Sequence, residues 1–184
     1  EPYRRQRQMC IRDRSKIKNY PNQADETVEA VRSAIEFRAT WFALLFDEMR
    51  KAGVDAEGIT RRAIRRCGRE VHGVRASQVV EGRQLNGNEM KAFSFNDLMK
   101  KVFIMDPVTS DENNADAYLH YCPLVAAWQK MGFSDEDIDL LCDMVMEGDR
   151  GVADANGFKL HLGSTIGGGC DKCNIHFYRG ELKE

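Results

Sequence analysis

Apolar residues recur at helical spacing over residues 25–52. Val28, Val31, Ile35, Phe42, Leu45 and Met49 fall at intervals of three and four, with one gap. This predicts a long helix that Gly53 stops. Arg38 occupies the gap, three residues after Ile35 and four before Phe42. Two readings stay open for it. Its stem packs while its head reaches water, or its cation points into an internal pocket to meet a carboxylate. A second helix is predicted over 56–72, with Ile59, Ala63, Cys67 and Val71 on one face, which makes Cys67 a buried packing thiol. Gly73, Gly82 and Asn86-Gly87-Asn88 predict a loop or hairpin over 73–92. A short helix follows over 93–105 and ends at Asp106-Pro107.

The second half alternates short elements. Residues 118–121 read as a strand, and Pro123 opens a helix that Gly132 terminates, which puts Cys122 at the N-cap. Ser134, with Asp137 three residues on, marks another helix start, and that helix buries Ile138, Leu141, Cys142 and Val145. Phe158, Leu160 and Leu162 alternate, as do Cys173, Ile175 and Phe177. The glycines 167–169 lie between these two strands and predict an antiparallel hairpin. Helices come first, then a small antiparallel sheet with further helices, so the fold class is α+β in a single domain.

Composition adds bounds. A chain of 184 residues with 42% hydrophobic and 30% charged content is long enough to bury a full core. The net charge of −2 gives no drive toward nucleic acid. Residues 1–15 carry five Arg against Glu1 and Asp13, and the remainder is net −5. That first segment lacks apolar periodicity and is set aside as a non-native piece or a short basic arm. Arg61, Arg62, Arg65, Arg66 and Arg69 make the second helix basic, but no aromatic residues interleave with them, so a solvated face is expected. No apolar run approaches the ~18–20 residues that span a bilayer. With no secretory signal, the six cysteines read as reduced thiols in a cytoplasmic protein.

The candidate chemistry concentrates in the C-terminal third. Cys122 is the leading nucleophile, because an N-cap thiol faces free backbone N–H groups and the positive end of the helix dipole. His120 sits two residues back, on the same face if the strand persists, and a Cys–His pair is a common way to make a thiolate. The alternative is a core thiol beside a structural histidine. Asp149 is seven residues after Cys142 and continues that helix's buried face, where a carboxylate needs a partner or a function. Otherwise the helix frays at Gly148 and Asp149 is solvated. In Cys170-x-x-Cys173 the favoured reading turns Cys173 inward with Ile175 and Phe177 and leaves Cys170 incidental. Two readings compete: a thioredoxin-like pair, which needs a helix starting at Cys170 where a strand follows, and a zinc site made of Cys122, Cys142, Cys170 and Cys173, of which only one pair has ligand spacing. No cofactor is expected beyond that. His161 and His176 should face outward, and His72 should be structural.

Taken together, Arg38-Ala39, Arg62-Ala63, Cys122-Pro123, Trp128 with Gly132, Cys142 with Asp149, Thr165-Ile166 and the closing Gly169-x-x-x-Cys173-Asn174-Ile175-His176-Phe177 resemble the L-2-amino-thiazoline-4-carboxylic acid hydrolase family over residues 25–180. Two positions depart from the family pattern: Ser164 stands where an Arg is often found, and Asn174 replaces an acid. The resemblance implies hydrolytic opening of a thiazoline ring to N-carbamoyl-L-cysteine, on the way to cysteine. Residue chemistry then assigns the roles at the matched positions. Cys122 is nucleophile or thiol acid, His120 its base, and Asp149 a general base or amidinium partner. Arg38 anchors the ring carboxylate, and Cys142, Thr165 and Cys173 line the substrate site. The implied partner is a small-molecule substrate, with no nucleic acid, no membrane and self-association left open. A resemblance to 4-vinyl-reductase-type domains implies instead a pocket that binds a small molecule or metal without turnover. A fused signalling or DNA-binding segment would favour that reading, and residues 1–24 hold none.

Overall fold

The computed structural model describes residues 15–182. The segment set aside at the N-terminus therefore lies outside the described residues, except for Ser15. The fold is α+β, with a helical N-terminal half packed on a small antiparallel sheet and a second group of helices.

Helix α1 spans Glu26–Lys51, and the Asp25 side chain caps it by accepting from the Val28 N–H. Its buried positions are Val28, Arg32, Ala39, Ala43 and Phe46. Of the predicted stripe, Val28 is buried and Ile35, Phe42 and Met49 pack against the core, but the centre of the buried face shifts to Arg32, Ala39, Ala43 and Phe46. Leu45 is 62% exposed and joins an outward row with Phe37, Trp41 and Leu44. The small Ala39 and Ala43 draw the buried face toward themselves, because they let Trp128 approach and donate from its indole nitrogen to the Ala39 carbonyl at 3.1 Å. Arg32, not Arg38, is the arginine buried on this helix, at 2% exposure. It donates to the carbonyls of Val102, Lys101 and Asn22, to the Asn22 side chain and to Glu29, and it lies over the Tyr121 ring. Every polar demand of the buried guanidinium is met by structure, which is the condition for burying a charge.

Helix α2, Ala56–Cys67, continues into a π-helical turn, Gly68–Gly73, and then α3, Val74–Val79. Its inward positions are Ala56, Thr60 and Gly68. The face predicted to be buried points outward, so Cys67 is exposed. Two forces set this rotation. Gly68 sits against the Gly148 carbonyl, and a Cβ there would lie 2.0 Å from that oxygen. On the adjoining face, Arg61 and Arg65 pair with Asp143, Glu147 and Asp154. The basic helix is therefore half neutralised by acids of the C-terminal helices and is not simply solvated.

The loop or hairpin expected over 73–92 is largely helical. Asn86 and Glu89 form a reciprocal capping box that starts α4, Gly87–Ser94. That signal was legible in the spacing but lay under a stronger Asn-Gly turn pattern. Asn96 caps α5, Asp97–Phe103, so the single helix predicted there is split in two. The sheet comprises β1 (Thr109–Ser110), β2 (Asn114–Leu119), β3 (Lys159–Ser164) and β4 (Cys173–Tyr178) in the order β1-β2-β4-β3, all antiparallel. The predicted hairpin forms, with Leu160 opposite Phe177 and Leu162 opposite Ile175. Helices α6 (Pro123–Met131), α7 (Asp135–Val145) and α8 (Glu147–Ala155) cover the inner face. One contiguous core joins α1, α6 and α7 to Ala115, Ala117, Ile175 and Phe177 of that face. Among the described residues, no helix is long and apolar enough to cross a membrane.

Candidate functional site

Cys122 closes the link between β2 and α6. It has extended backbone angles, and Pro123 opens the helix after it, as the sequence predicts. The N–H groups of Val125 and Leu124 act on the sulfur to lower its pKa, although no capping hydrogen bond forms. Burial outweighs them and pushes the thiol up to about 12. The resting residue is therefore a thiol, contrary to the expectation that the dipole would make it a thiolate.

The predicted Cys–His pair does not form. Strand β2 ends at Leu119, and the chain then turns, with the His120 and Tyr121 amides donating to the carbonyls of Ile104 and Phe103. Alternation is lost at this turn, so Tyr121 and Cys122 are both buried while His120 faces out. The His120 ring pairs with Asp106 at 2.8 Å.

Cys122, Cys142 and Cys173 converge from α6, α7 and β4. Each thiol pKa is raised by burial, and the Cys122–Cys173, Cys142–Cys122 and Cys142–Cys173 pairs repel one another as anions. The glycine turn presses onto this trio. The Ile166 amide donates to the Cys173 sulfur at 3.1 Å, and the Gly167 amide acts on Cys142. A Cβ at Gly167 would lie 2.6 Å from the Cys142 Cβ, so only glycine permits the approach. The Thr165 hydroxyl accepts from the Gly168 amide at 3.0 Å and so shapes the same turn. Cys170 is exposed, and among the trio it acts on Cys173, whose pKa it helps to raise. Among the described residues, no group of three or more His, Cys, Asp or Glu side chains is placed to hold a metal, so the four-thiol donor set is not assembled.

Asp149 does not continue α7. The helix ends at Val145, Met146 links the two, and Asp149 lies in the first turn of α8. The carboxyl keeps some exposure yet is hemmed in by protein, and burial raises its pKa to about 6. Arg38, its own backbone N–H and Arg150 oppose that shift. Arg38 is exposed at its own position, but its charge reaches Asp149, Cys122 and His72. His72 sits on the π-helical turn, where burial and then the charges of Arg38 and Arg75 lower its pKa. The exposed side chain fits the reading in which the Arg38 head reaches water, while its charge still lowers the Asp149 pKa. His176 bonds Asn114 and lies opposite His161 on the outer sheet face.

Buried Glu147 was missed by sequence reasoning. It binds Arg61, Arg65 and Arg150, and so fixes the start of α8 two residues before Asp149. The Glu147–Arg150 spacing was a visible signal. Two open hollows of about 500 and 390 Å³ lie elsewhere, beside Arg179 and beside Lys100, and neither is lined by Cys122, Asp149 or Arg38. The thiols reach solvent only narrowly, at 6–9% exposure.

Fold and site thus define an α+β protein with a cap thiol, a raised carboxyl and one arginine whose field spans both. The family model for L-2-amino-thiazoline-4-carboxylic acid hydrolase matches residues 32–177, most of the chain, and the protein belongs to that family. Searches of curated proteins and of solved structures returned no match.

Proposed function

We propose that the protein is a hydrolase that opens the ring of L-2-amino-thiazoline-4-carboxylate or a closely related cyclic amidine. The observation that carries this reading is the reach of Arg38 to both Asp149 and Cys122. The family name supports a hydrolase of this kind.

The substrate suits such a site. Its ring carboxylate is an anion for Arg38. Its C2 carries sulfur and two nitrogens, so the protonated ring is a cation that a carboxylate of Asp149 would bind. That cation also favours ionisation of a neighbouring thiol, which answers the raised resting pKa of Cys122. In the proposed sequence the Cys122 proton passes to Asp149 and the sulfur adds to C2. The ring C2–S bond breaks, and the departing sulfur takes the proton back. Water then adds to C2 with Asp149 as base. The Cys122 sulfur leaves and is reprotonated, and a urea carbonyl remains. Substrate plus one water gives N-carbamoylcysteine. Cys142, Thr165 and Cys173 shape the wall behind C2, and His120 takes no part.

Incubating the protein with the thiazoline carboxylate and assaying N-carbamoylcysteine and free thiol tests the reading. Product should form with wild type and fall at least ~1,000-fold with Cys122→Ser. Absence of product from well-folded wild type would reject the hydrolase. Near wild-type turnover by the variant would remove Cys122 from the chemistry.

A further inference from the structure

We infer that Asn19 is a positioning residue for Cys122, supplied by an N-terminal strap that precedes the family-matched region. The inference rests on the role proposed for Cys122 and adds a residue that nothing else assigns to the site.

The strap, residues 15–22, has no regular secondary structure. It is nevertheless tied down along its length. The Ser15 hydroxyl and the Lys16 amide donate to the two Asp135 oxygens at 2.7 and 2.8 Å. Gln129 donates to the Ile17 carbonyl, and Ile17 is buried in the main core. Asn22 accepts from buried Arg32, whose guanidinium also covers the ring of Tyr121, the residue before Cys122.

Asn19 is the centre of this arrangement. Its side-chain nitrogen donates to the Cys122 carbonyl at 2.9 Å, and its side-chain oxygen accepts from the Cys122 amide at 2.8 Å. Asn19 is itself buried. The pair of bonds is what a neighbouring strand would give, at the point where β2 has already ended. An N-cap amide has no partner within its own helix, and a buried one needs a partner from outside. Only an amide side chain supplies a donor and an acceptor at the right spacing for both backbone groups, and only one orientation of that amide satisfies them. The bonds fix the peptide planes on either side of the Cys122 Cα. The direction of the Cα–Cβ bond follows, and with it the aim of the sulfur.

The test uses the full chain with Asn19→Ala, Asn19→Asp, Cys122→Ser and a control, Ser15→Ala, that loosens the strap away from Cys122. The readouts are kcat and KM for the thiazoline carboxylate and the rate of Cys122 alkylation by iodoacetamide, followed by peptide mass. Asn19→Ala should lower kcat at least tenfold with KM changed less than about twofold, and should change the Cys122 alkylation rate severalfold. Asn19→Asp keeps the acceptor for the Cys122 amide but sets a carboxylate oxygen against its carbonyl, so it should show the same defects. It also keeps the test alive if the alanine variant fails to fold. Ser15→Ala should leave both readouts unchanged. A folded Asn19 variant with wild-type kcat and wild-type alkylation rate overturns the inference. If Cys122→Ser turns over normally, the proposed reaction fails instead, and the alkylation arm still decides whether Asn19 aims the thiol.

Discussion

The Asp149 carboxyl is raised by burial and held back chiefly by Arg38, yet among the described residues the two make no direct ion pair. The Arg38 cation thus acts on the Asp149 acid from a distance, so each keeps a charge that a ligand could meet. A zwitterion whose anion faces Arg38 and whose cation faces Asp149 would satisfy both.

The position of Asp149 predicts opposite effects on activity and stability. Its folded pKa of about 6 lies above the ordinary 3.8. The folded state therefore holds the proton more tightly, and stability from this group is full below pH ~4 and lost as pH rises through ~6. Above that, the ionised acid costs up to about 3 kcal/mol at ~1.4 kcal/mol per pH unit. Asp149→Asn should raise the denaturation midpoint at pH 7.5, with no gain at pH 4, while kcat falls at least ~100-fold. A variant less stable than wild type at pH 7.5 would contradict the burial argument.

Arg38→Gln should fold normally, because the residue is exposed. KM should rise roughly 10–100-fold, the worth of one charge-assisted bond to a carboxylate. Removing the cation should also shift the acid limb of kcat/KM above pH 6, since Arg38 is the largest of the influences that lower Asp149. Steady-state kinetics across pH 5–8 check both effects.

His120→Ala should keep kcat within about twofold. The ring pairs with exposed Asp106 on the outer side of the chain, and such pairs contribute only ~0–1 kcal/mol. A large loss of turnover with unchanged stability would return His120 to the site.

Gly68→Ala should destabilise the protein by about 2–3 kcal/mol through overpacking, because its Cβ would overlap the Gly148 carbonyl. Gly148 adjoins Asp149, so activity should fall more steeply than stability alone accounts for. Thermal unfolding and kcat measured on one preparation separate the two.

Local signals read well where one residue type decides an outcome. Pro123 after Cys122, Ser134 before Asp137, and the alternation of Leu160 and Leu162 opposite Ile175 and Phe177 gave the cap, the helix start and the hairpin. Helix rotation read poorly. Periodicity placed Cys67 inward on α2 and Leu45 inward on α1, and both are exposed. Neither pattern records that Ala39, Ala43 and Gly68 are small enough for a neighbour to press close, nor that Arg61 and Arg65 have acids waiting on other helices.

By itself, then, the sequence determined the fold class, the family and the local setting of Cys122, because caps, turns and strand alternation depend on residues within one turn or one strand. Only the tertiary structure decided which arginine is buried, that His120 faces Asp106, that Asp149 opens a new helix, and that Asn19 bonds Cys122 from 103 positions away. Those outcomes turn on how closely distant backbones approach and on which buried polar groups find partners. Both are properties of the packed core and not of any local pattern.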